Sequence, residues 1–387
     1  MTFGPSPSTF RTTSTLVFGR GAILELPDQL RRAGAGRVLI VTDPGIAACG
    51  VLDQVEELLR EAGISAGVYT GVVPEPPSPS VDACAEAIKA DGADVVVGLG
   101  GGSAMDTSQI AACLVTNGGT TEDWLGVEIL ERPGIPTISV PTTAGTASEL
   151  TGNAVIVLAD QSNKMSVVSP YIYPKAAIVD PALTDSVPPD VTAATGMDAF
   201  CHATESFISV KATPHTRLYA AESMRRVVEY LPRAVADGGD TEARDELAYA
   251  CVMAGYTLAN AGTIIVHAMA HAIGAWAKIP HGVANTLCLL PVMGFCAERV
   301  PALVGGMAEP LGAPNGANDA DRAQATLDAM RVLIDGVGLS TRLGETGVQR
   351  DWLPEVARVT HGSRRLMDQS PAQPTEAELL AMLEAAY

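Results

Sequence analysis

The chain changes texture near residue 185. Before that point, short apolar runs at 37–43, 66–70, 94–99 and 136–140 alternate with helical spacing at 51–62, 81–89 and 104–115. Beyond the break Asp185-Ser186-Val187-Pro188-Pro189-Asp190, apolar β runs largely vanish. Helical patterns follow at 190–210, 215–230, 241–258, 265–276 and 320–337. Strands alternating with helices specify a parallel sheet covered on both faces. Runs that are apolar throughout, rather than at every second residue, fit strands buried on both sides. The expected architecture is an α/β domain with a parallel sheet over 1–186 and an all-helical domain over 187–387.

The 387 residues are 47% hydrophobic and 18% charged, enough to fill two cores and incompatible with a mainly disordered chain. The net charge of −19 repels phosphate backbones and anionic lipid, so no nucleic acid and no membrane partner is expected. The seven cysteines are odd in number and form no C-x-x-C pair, which reads as reduced thiols in a cytoplasmic protein. Residues 1–14 are polar, with two prolines and no apolar core segment, and do not read as a secretory signal. Residues 247–277 carry no charge and are long enough to span a bilayer. They also hold Thr257, Asn260, Thr263, His267 and His271, costly in lipid, so two buried helices broken near 260–263 are expected. The stretch PEPPSPS at 74–80 reads as a stiff connection.

A glycine cluster, Gly98-Leu99-Gly100-Gly101-Gly102-Ser103-Ala104-Met105-Asp106, follows a strand and opens a helix. Glycines there let backbone N–H groups approach an anion, and the helix N-terminus adds about half a positive charge. Pyrophosphate suits such a loop, and so does a tight strand–helix turn with no ligand. No Lys-Ser/Thr follows, which argues against a nucleotide-triphosphate loop. Asp43 ends the first central strand, where a carboxylate can accept from a ribose 2′-OH and repel a 2′-phosphate. It also suits an N-cap before Pro44-Gly45. The segment PTTAGTASE at 141–149 places hydroxyls and small residues at the end of another strand, either at an α/β ligand crevice or bonded to local backbone.

The helical half holds Asp198 and His202 at i, i+4, His267 and His271 at i, i+4, and His281 in a Pro280-His281-Gly282 turn. Each pair shares one helix face. Buried imidazoles in neutral, apolar helices need a partner, and carboxylate with imidazole suits Fe²⁺ or Zn²⁺. His215 and His361 sit in polar surroundings and read as surface residues.

Taken together, GLGGGSAMDTSQ, PTTAGTASELT, GMDAFCHATE and HAMAHAIGAWAKIPHGVAN resemble, in order and across nearly the whole chain, the motifs of the iron-containing (group III) alcohol dehydrogenases. The resemblance implies a Rossmann-like dinucleotide-binding domain followed by a helical metal-binding domain, the dehydroquinate synthase-like architecture, with the site in the cleft. It implies metal ligands at Asp198, His202, His267 and His281, and His271 as a nearby non-ligand, which suits a proton relay and equally a side chain that packs beside the metal or touches the cofactor. It implies cofactor contacts from Asp43, Gly101, Gly102, Ser103, Asp106, Thr142, Thr143, Thr151, Asn153 and Lys164, with Asp43 favouring NAD over NADP. The activity implied is reversible hydride transfer between NAD(H) and a small primary alcohol or aldehyde, with Fe²⁺, or alternatively Zn²⁺, as Lewis acid, in a homodimer. Departures from the family are Ile264 where a glycine often precedes the third ligand, Leu258 where some members carry an aromatic, and Gln369-Ser370-Pro371-Ala372 in place of Asn-Pro-Arg.

Competing readings are a dehydroquinate synthase-type lyase that recycles NAD internally, a metal-free maleylacetate reductase-like enzyme, a metal-dependent hydrolase and a non-catalytic binding protein. The lyase pattern resembles one Glu with two His, unlike Asp198 with three His. The metal-free reductase does not need these ligands, and a hydrolase does not need the glycine loop and Asp43.

Overall fold

The computed structural model describes residues 7–160 and 164–387, so the first six residues of the polar 1–14 stretch lie outside the described residues. Two compact units result: one spans residues 12–187, and the other joins the segment up to Arg11 to residues 188–387. In the second unit the Arg11 backbone exchanges two hydrogen bonds with the Asn260 amide, accepting from Nδ2 at 2.9 Å and donating to Oδ1 at 2.6 Å.

The first unit contains strands β1 (Leu16–Phe18), β2 (Val38–Val41), β3 (Ala66–Tyr69), β4 (Val95–Gly100), β5 (Gly126–Val127), β6 (Thr137–Pro141), β7 (Asn153–Val157), β8 (Lys164–Val168) and β9 (Ala176–Val179). Its helices are α1 (Leu26–Ala33), α2 (Pro44–Ala48), α3 (Val51–Glu61), α4 (Ser78–Asp91) and α5 (Gly102–Asn117). The main sheet is six-stranded among the described residues, in the order β1-β9-β6-β4-β2-β3, and every pairing is parallel. Alternate side chains enter opposite cores, as the two-residue period requires. Leu39, Val41 and Val96 pack with Cys84, Ile88, Ile110 and Leu114 of α4 and α5. Val38, Ile40, Val95 and Val97 pack with Leu26, Leu30, Val55 and Leu59 of α1 and α3. All four residues of β2 and all six of β4 are buried, which is why these runs lack polar alternation.

The chain runs from β2 outward to β3 and then returns, so β4 pairs on the other side of β2. The strand order therefore reverses between β2 and β4, and open parallel sheets bind ligands beyond the carboxyl ends of strands at such a reversal.

Two features of this unit differ from the expectations above. A second sheet, β5-β8-β7, stands apart from the first, with β7 and β8 antiparallel. Its strand β7 alternates half-buried and buried residues, a short amphipathic pattern with no flanking turn signal strong enough to mark it. The Pro-rich stretch is only partly a connection. Ser78, Pro79 and Ser80 form the first turn of α4, where proline's fixed φ and missing N–H cost nothing, and Pro77 bridges to Val157.

The second unit is helical, with α6 (Pro189–Ile208), α7 (Pro214–Ala236), α8 (Thr241–Ala261), α9 (Ile265–Ala277) and α10 (His281–Arg299), followed by further helices to Ala385. Helices α8 and α9 meet at 101°, and among the described residues no single helix is long and apolar enough to cross a membrane. His281, expected in a Pro280-His281-Gly282 turn, lies in a helix instead. It is the first residue of the nineteen-residue α10, with Pro280 at the N-cap.

Candidate metal centre and cofactor loop

Four predicted ligand side chains meet in the second unit. Asp198 and His202 share a face of α6, His267 lies in the first turn of α9, and His281 opens α10. Asp198 Oδ1 lies 3.7 Å from His202 Nε2, 3.5 Å from His267 Nε2 and 3.7 Å from His281 Nε2. A tetrahedral site with bonds of about 2.1 Å has ligand atoms about 3.4 Å apart, so each of these separations from Asp198 Oδ1 suits a shared divalent cation. Donor atoms of Asp198, His267 and His281 all lie within 4.8 Å of one another, a group that does not include His202. Asp198, His202 and His267 are buried and His281 is half-buried.

Close backbone packing makes this convergence possible. A Cβ on Gly282 would sit 1.8 Å from the carbonyl oxygen of Ala194, so the start of α10 lies directly against α6. Only glycine allows that approach, and it brings His281 to the face that carries Asp198.

Two residues not singled out in the sequence complete the arrangement. Glu205, fully buried one helical turn beyond His202, accepts from His267 Nδ1 through Oε1 in a short contact. Its Oε2 accepts from the backbone N–H of Ile264 at 2.7 Å and of His267 at 3.4 Å. With the proton on Nδ1, His267 presents the Nε2 lone pair to Asp198 and His281. Asn285 Nδ2 donates to Asp198 Oδ1 at 2.7 Å and lies 3.2 Å from Nε2 of both His267 and His281. One amide has two hydrogens for these three acceptors, whereas a cation would satisfy all of them together. The available signals were positional: Glu205 is seven residues after Asp198 on one helix, and Asn285 four after His281.

The electrostatics follow from burial and proximity. Burial acts to raise the Asp198 pKa, but His202, His281 and His267 together hold it well below the ordinary carboxylate range. Burial acts to lower the His267 pKa, but Glu205 and Asp198 push it up to about 9. The centre draws positive charge, as a cation site must. His271 is half-buried beside it, its ring 5.4 Å from that of His281 and 6.1 Å from that of His267. Of the two remaining histidines, His215 is exposed and His361 half-buried.

In the first unit, Asp43, the glycine loop and the Thr-rich loop lie at the carboxyl ends of the adjacent strands β2, β4 and β6. Asp43 Oδ1 caps α2, accepting from Gly45 N at 2.8 Å and Ile46 N at 3.1 Å. Its Oδ2 faces Gly100, where a Cβ would lie 3.4 Å away. Asp43 is thus both the N-cap and a carboxylate at the strand reversal. Helix α5 starts at Gly102, and no side chain caps its N-terminus. A Cβ on Gly102 would meet Thr146 at 2.7 Å, and one on Gly101 would meet Thr143 at 3.6 Å. Thr142 is buried, and its N–H donates to the Gly100 carbonyl at 3.0 Å. The loop opens a helix that no side chain caps, beside small polar residues, the chemistry a pyrophosphate needs.

The other predicted cofactor residues lie further along. Asp106 is buried in α5, and its Oδ2 accepts from Val155 N at 2.8 Å, tying α5 to β7. Thr151 is buried just before β7, its hydroxyl donating to the Asn153 carbonyl. Asn153 and Lys164 occupy opposite ends of the β7–β8 ladder, opposite Val168 and Val157 respectively. Lys164 is buried and pairs with Glu75 from the Pro-rich stretch, whose backbone sits at φ +51°. Ser103 lies in the first turn of α5 and is half-buried.

The departures from the family also find places. Ile264 is the N-cap of α9, with φ −125° and ψ −135°, and its side chain is fully buried. Leu258 is half-buried in the last turn of α8. The Gln369 side chain packs on Gly262, where a Cβ would lie 2.2 Å from its Oε1.

Residues 13–181 match the family described as iron-containing alcohol dehydrogenase, and residues 192–387 match the C-terminal domain of the Fe-containing alcohol dehydrogenase family. The chain is 36% identical over 379 residues to a sulfoacetaldehyde reductase of Bilophila wadsworthia, covering 97% of this chain and 98% of the relative. A 1,3-propanediol oxidoreductase structure superposes with a TM-score of 0.96 at 32% identity, covering 99% of this chain and all of the other. A sulfoacetaldehyde reductase from Bifidobacterium kashiwanohense, determined in complex with NAD⁺, superposes with a TM-score of 0.85 at 30% identity, covering 98% and 99% of the two chains. Motif order, fold and both sequence matches agree that the chain belongs to the iron-containing alcohol dehydrogenase family.

Proposed function

We propose that this oxidoreductase transfers hydride reversibly between NAD(H) and a small primary alcohol or aldehyde. The observation that carries the reading is the convergence of Asp198 Oδ1 with three imidazole Nε2 atoms at 3.5–3.7 Å. Bound there, Fe²⁺ or Zn²⁺ would act as a Lewis acid on the substrate oxygen, and NAD(H) would carry the hydride.

The chain's own residues have distinct parts. Asp198, His202, His267 and His281 hold the metal, and Asn285 steadies Asp198. Half-buried His271 is the candidate to pass a proton between the reacting oxygen and solvent, a role worth about 10²–10⁴-fold in rate. Residues 12–187 form the dinucleotide-binding unit. Gly101, Gly102 and Ser103 present backbone donors to the pyrophosphate. Asp43 Oδ2 accepts from the adenosine ribose and disfavours a 2′-phosphate. Thr142, Thr143, Thr151, Asn153, Asp106 and Lys164 complete the cofactor's surroundings. We place the enzyme in the cytoplasm with no membrane or nucleic-acid partner, a reading supported by the net charge of −19 and six buried, unbridged cysteines beside one exposed, and as a homodimer on the family resemblance alone.

The test is anaerobic purification, measurement of bound iron and zinc, and NADH absorbance with a panel of short aldehydes. About one metal per chain with NADH consumption is expected. Metal with no net NADH change across the panel would point to a substrate outside the panel or to an internally recycling lyase. Absence of metal under conditions that retain it would overturn the ligand assignment.

A further inference from the structure

Glu205 is fully buried, and nothing in the proposed chemistry uses it directly. Both its oxygens are committed to α9: Oε1 to His267 Nδ1, Oε2 to the backbone N–H groups of Ile264 and His267. The N-cap residue of α9 is the apolar Ile264, which offers no side-chain acceptor. A carboxylate from α6 therefore does the work of a cap on a helix whose own sequence lacks one. The same group decides which ring nitrogen of His267 carries the proton.

We infer that Glu205 is a positioning residue that locks His267 into the Nδ1–H tautomer and so determines how tightly the centre holds its metal. This rests on the metal reading of Asp198, His202, His267 and His281. Outer partners of this kind typically alter metal affinity 10–100-fold. Glu205→Gln separates the two duties. The amide oxygen still accepts from the backbone N–H groups, so the cap on α9 survives. The amide NH₂ now faces Nδ1, which can only accept from it, and the proton moves to Nε2, the atom turned toward the metal. A role confined to capping would leave metal affinity unchanged in this variant.

The experiment uses the full-length protein, with Zn²⁺ affinity read by competition with a chromophoric chelator, alongside the thermal midpoint and NADH binding. The expected result is affinity 10–100-fold weaker in Glu205→Gln, with NADH binding unchanged and the midpoint of the metal-free protein near wild type. Equal Zn²⁺ affinity in the folded variant and the wild type would overturn the inference alone. Failure of the wild type itself to bind Zn²⁺ or Fe²⁺ would overturn the metal reading beneath it. Should the Glu205→Gln protein not fold, Glu205→Asp keeps a negative acceptor and is expected to lose less than tenfold. Complete metal loss from a folded Glu205→Asp protein would count against the inference.

Discussion

Gly282 lies against Ala194 so closely that a Cβ added to it would stand 1.8 Å from the Ala194 carbonyl oxygen. The contact joins two backbones, so no side-chain rotation can relieve it. Gly282→Ala must push α10 away from α6 and carry His281 with it. Overpacking commonly costs about 1–3 kcal/mol, and a backbone clash belongs at the upper end. Chemical denaturation is expected to show a loss of about 3 kcal/mol, and metal analysis a fall well below one ion per chain. Wild-type metal content in this variant would show that α10 can shift without disturbing the centre.

The two histidines of α9 are expected to separate cleanly. His267→Ala removes a ligand and should yield metal-poor protein. His271→Ala should retain metal and lose about 10²-fold or more in rate. Stripping wild-type protein with a chelator should lower its thermal midpoint, because a cation that binds only the folded state stabilises it. The His267→Ala protein should show no such shift. Matching metal contents and rates in the two variants would refute these roles.

Asp43 caps α2 through Oδ1, the cofactor selection proposed for Oδ2 is a separate duty, and one substitution separates the two. In Asp43→Asn the amide oxygen can still accept from Gly45 and Ile46, so α2 keeps its cap. The negative charge that repels a 2′-phosphate is gone. The ratio of kcat/KM for NADPH over NADH should rise by at least tenfold while the thermal midpoint stays within a few degrees. An unchanged ratio would move cofactor selection away from Asp43.

Asp106 and Glu149 form a buried acidic pair in the first unit. Burial pushes the Asp106 carboxyl up to about 7 against hydrogen bonds from Val155 and Ser148, with Glu75 adding to the rise. Burial likewise pushes Glu149 up to about 7, and the neighbouring Asp106 charge raises it further. A carboxyl whose folded pKa exceeds its unfolded value holds a proton that the unfolded chain has released. Between about pH 4 and pH 7 this pair should therefore make stability fall as pH rises, by about 1.4 kcal/mol per pH unit per retained proton. Glu149→Gln should flatten that part of the profile in urea titrations across pH 4–8. An identical slope in wild type and variant would show that the pair does not retain its protons.

The sequence was informative where a function depends on local spacing. Asp198 with His202, and His267 with His271, were readable because i, i+4 places two groups on one helix face whatever surrounds them. The strands β2, β4 and β6 were readable because full burial leaves an unbroken apolar run. Strands β7 and β8 were not, since five-residue strands at a small sheet are chosen by pairing partners rather than by composition. Helix α10 is hard to read from sequence because its apolar, cysteine- and proline-containing segment has no sharp polar face. Glu205 stood in plain view within GMDAFCHATE, but a carboxylate beside a histidine motif has no evident role until its partner is known.

By itself, the sequence determined the order of the two units, the parallel character of the first sheet, the glycine loop at a helix start, and the residue types able to hold a divalent cation. These depend on periodicity, burial pattern and short-range spacing, which are properties of the chain alone. Tertiary structure alone decided that Asp198 meets His267 and His281 across 69 and 83 residues of chain, that Glu205 rather than a local residue caps α9, and that Asn285 faces the centre. Such contacts arise from how α6, α9 and α10 pack, and packing is set by many weak surfaces acting together. Gly282 permits the close approach of α10 to α6, but no single residue on any of the three helices is enough to fix the positions of the others.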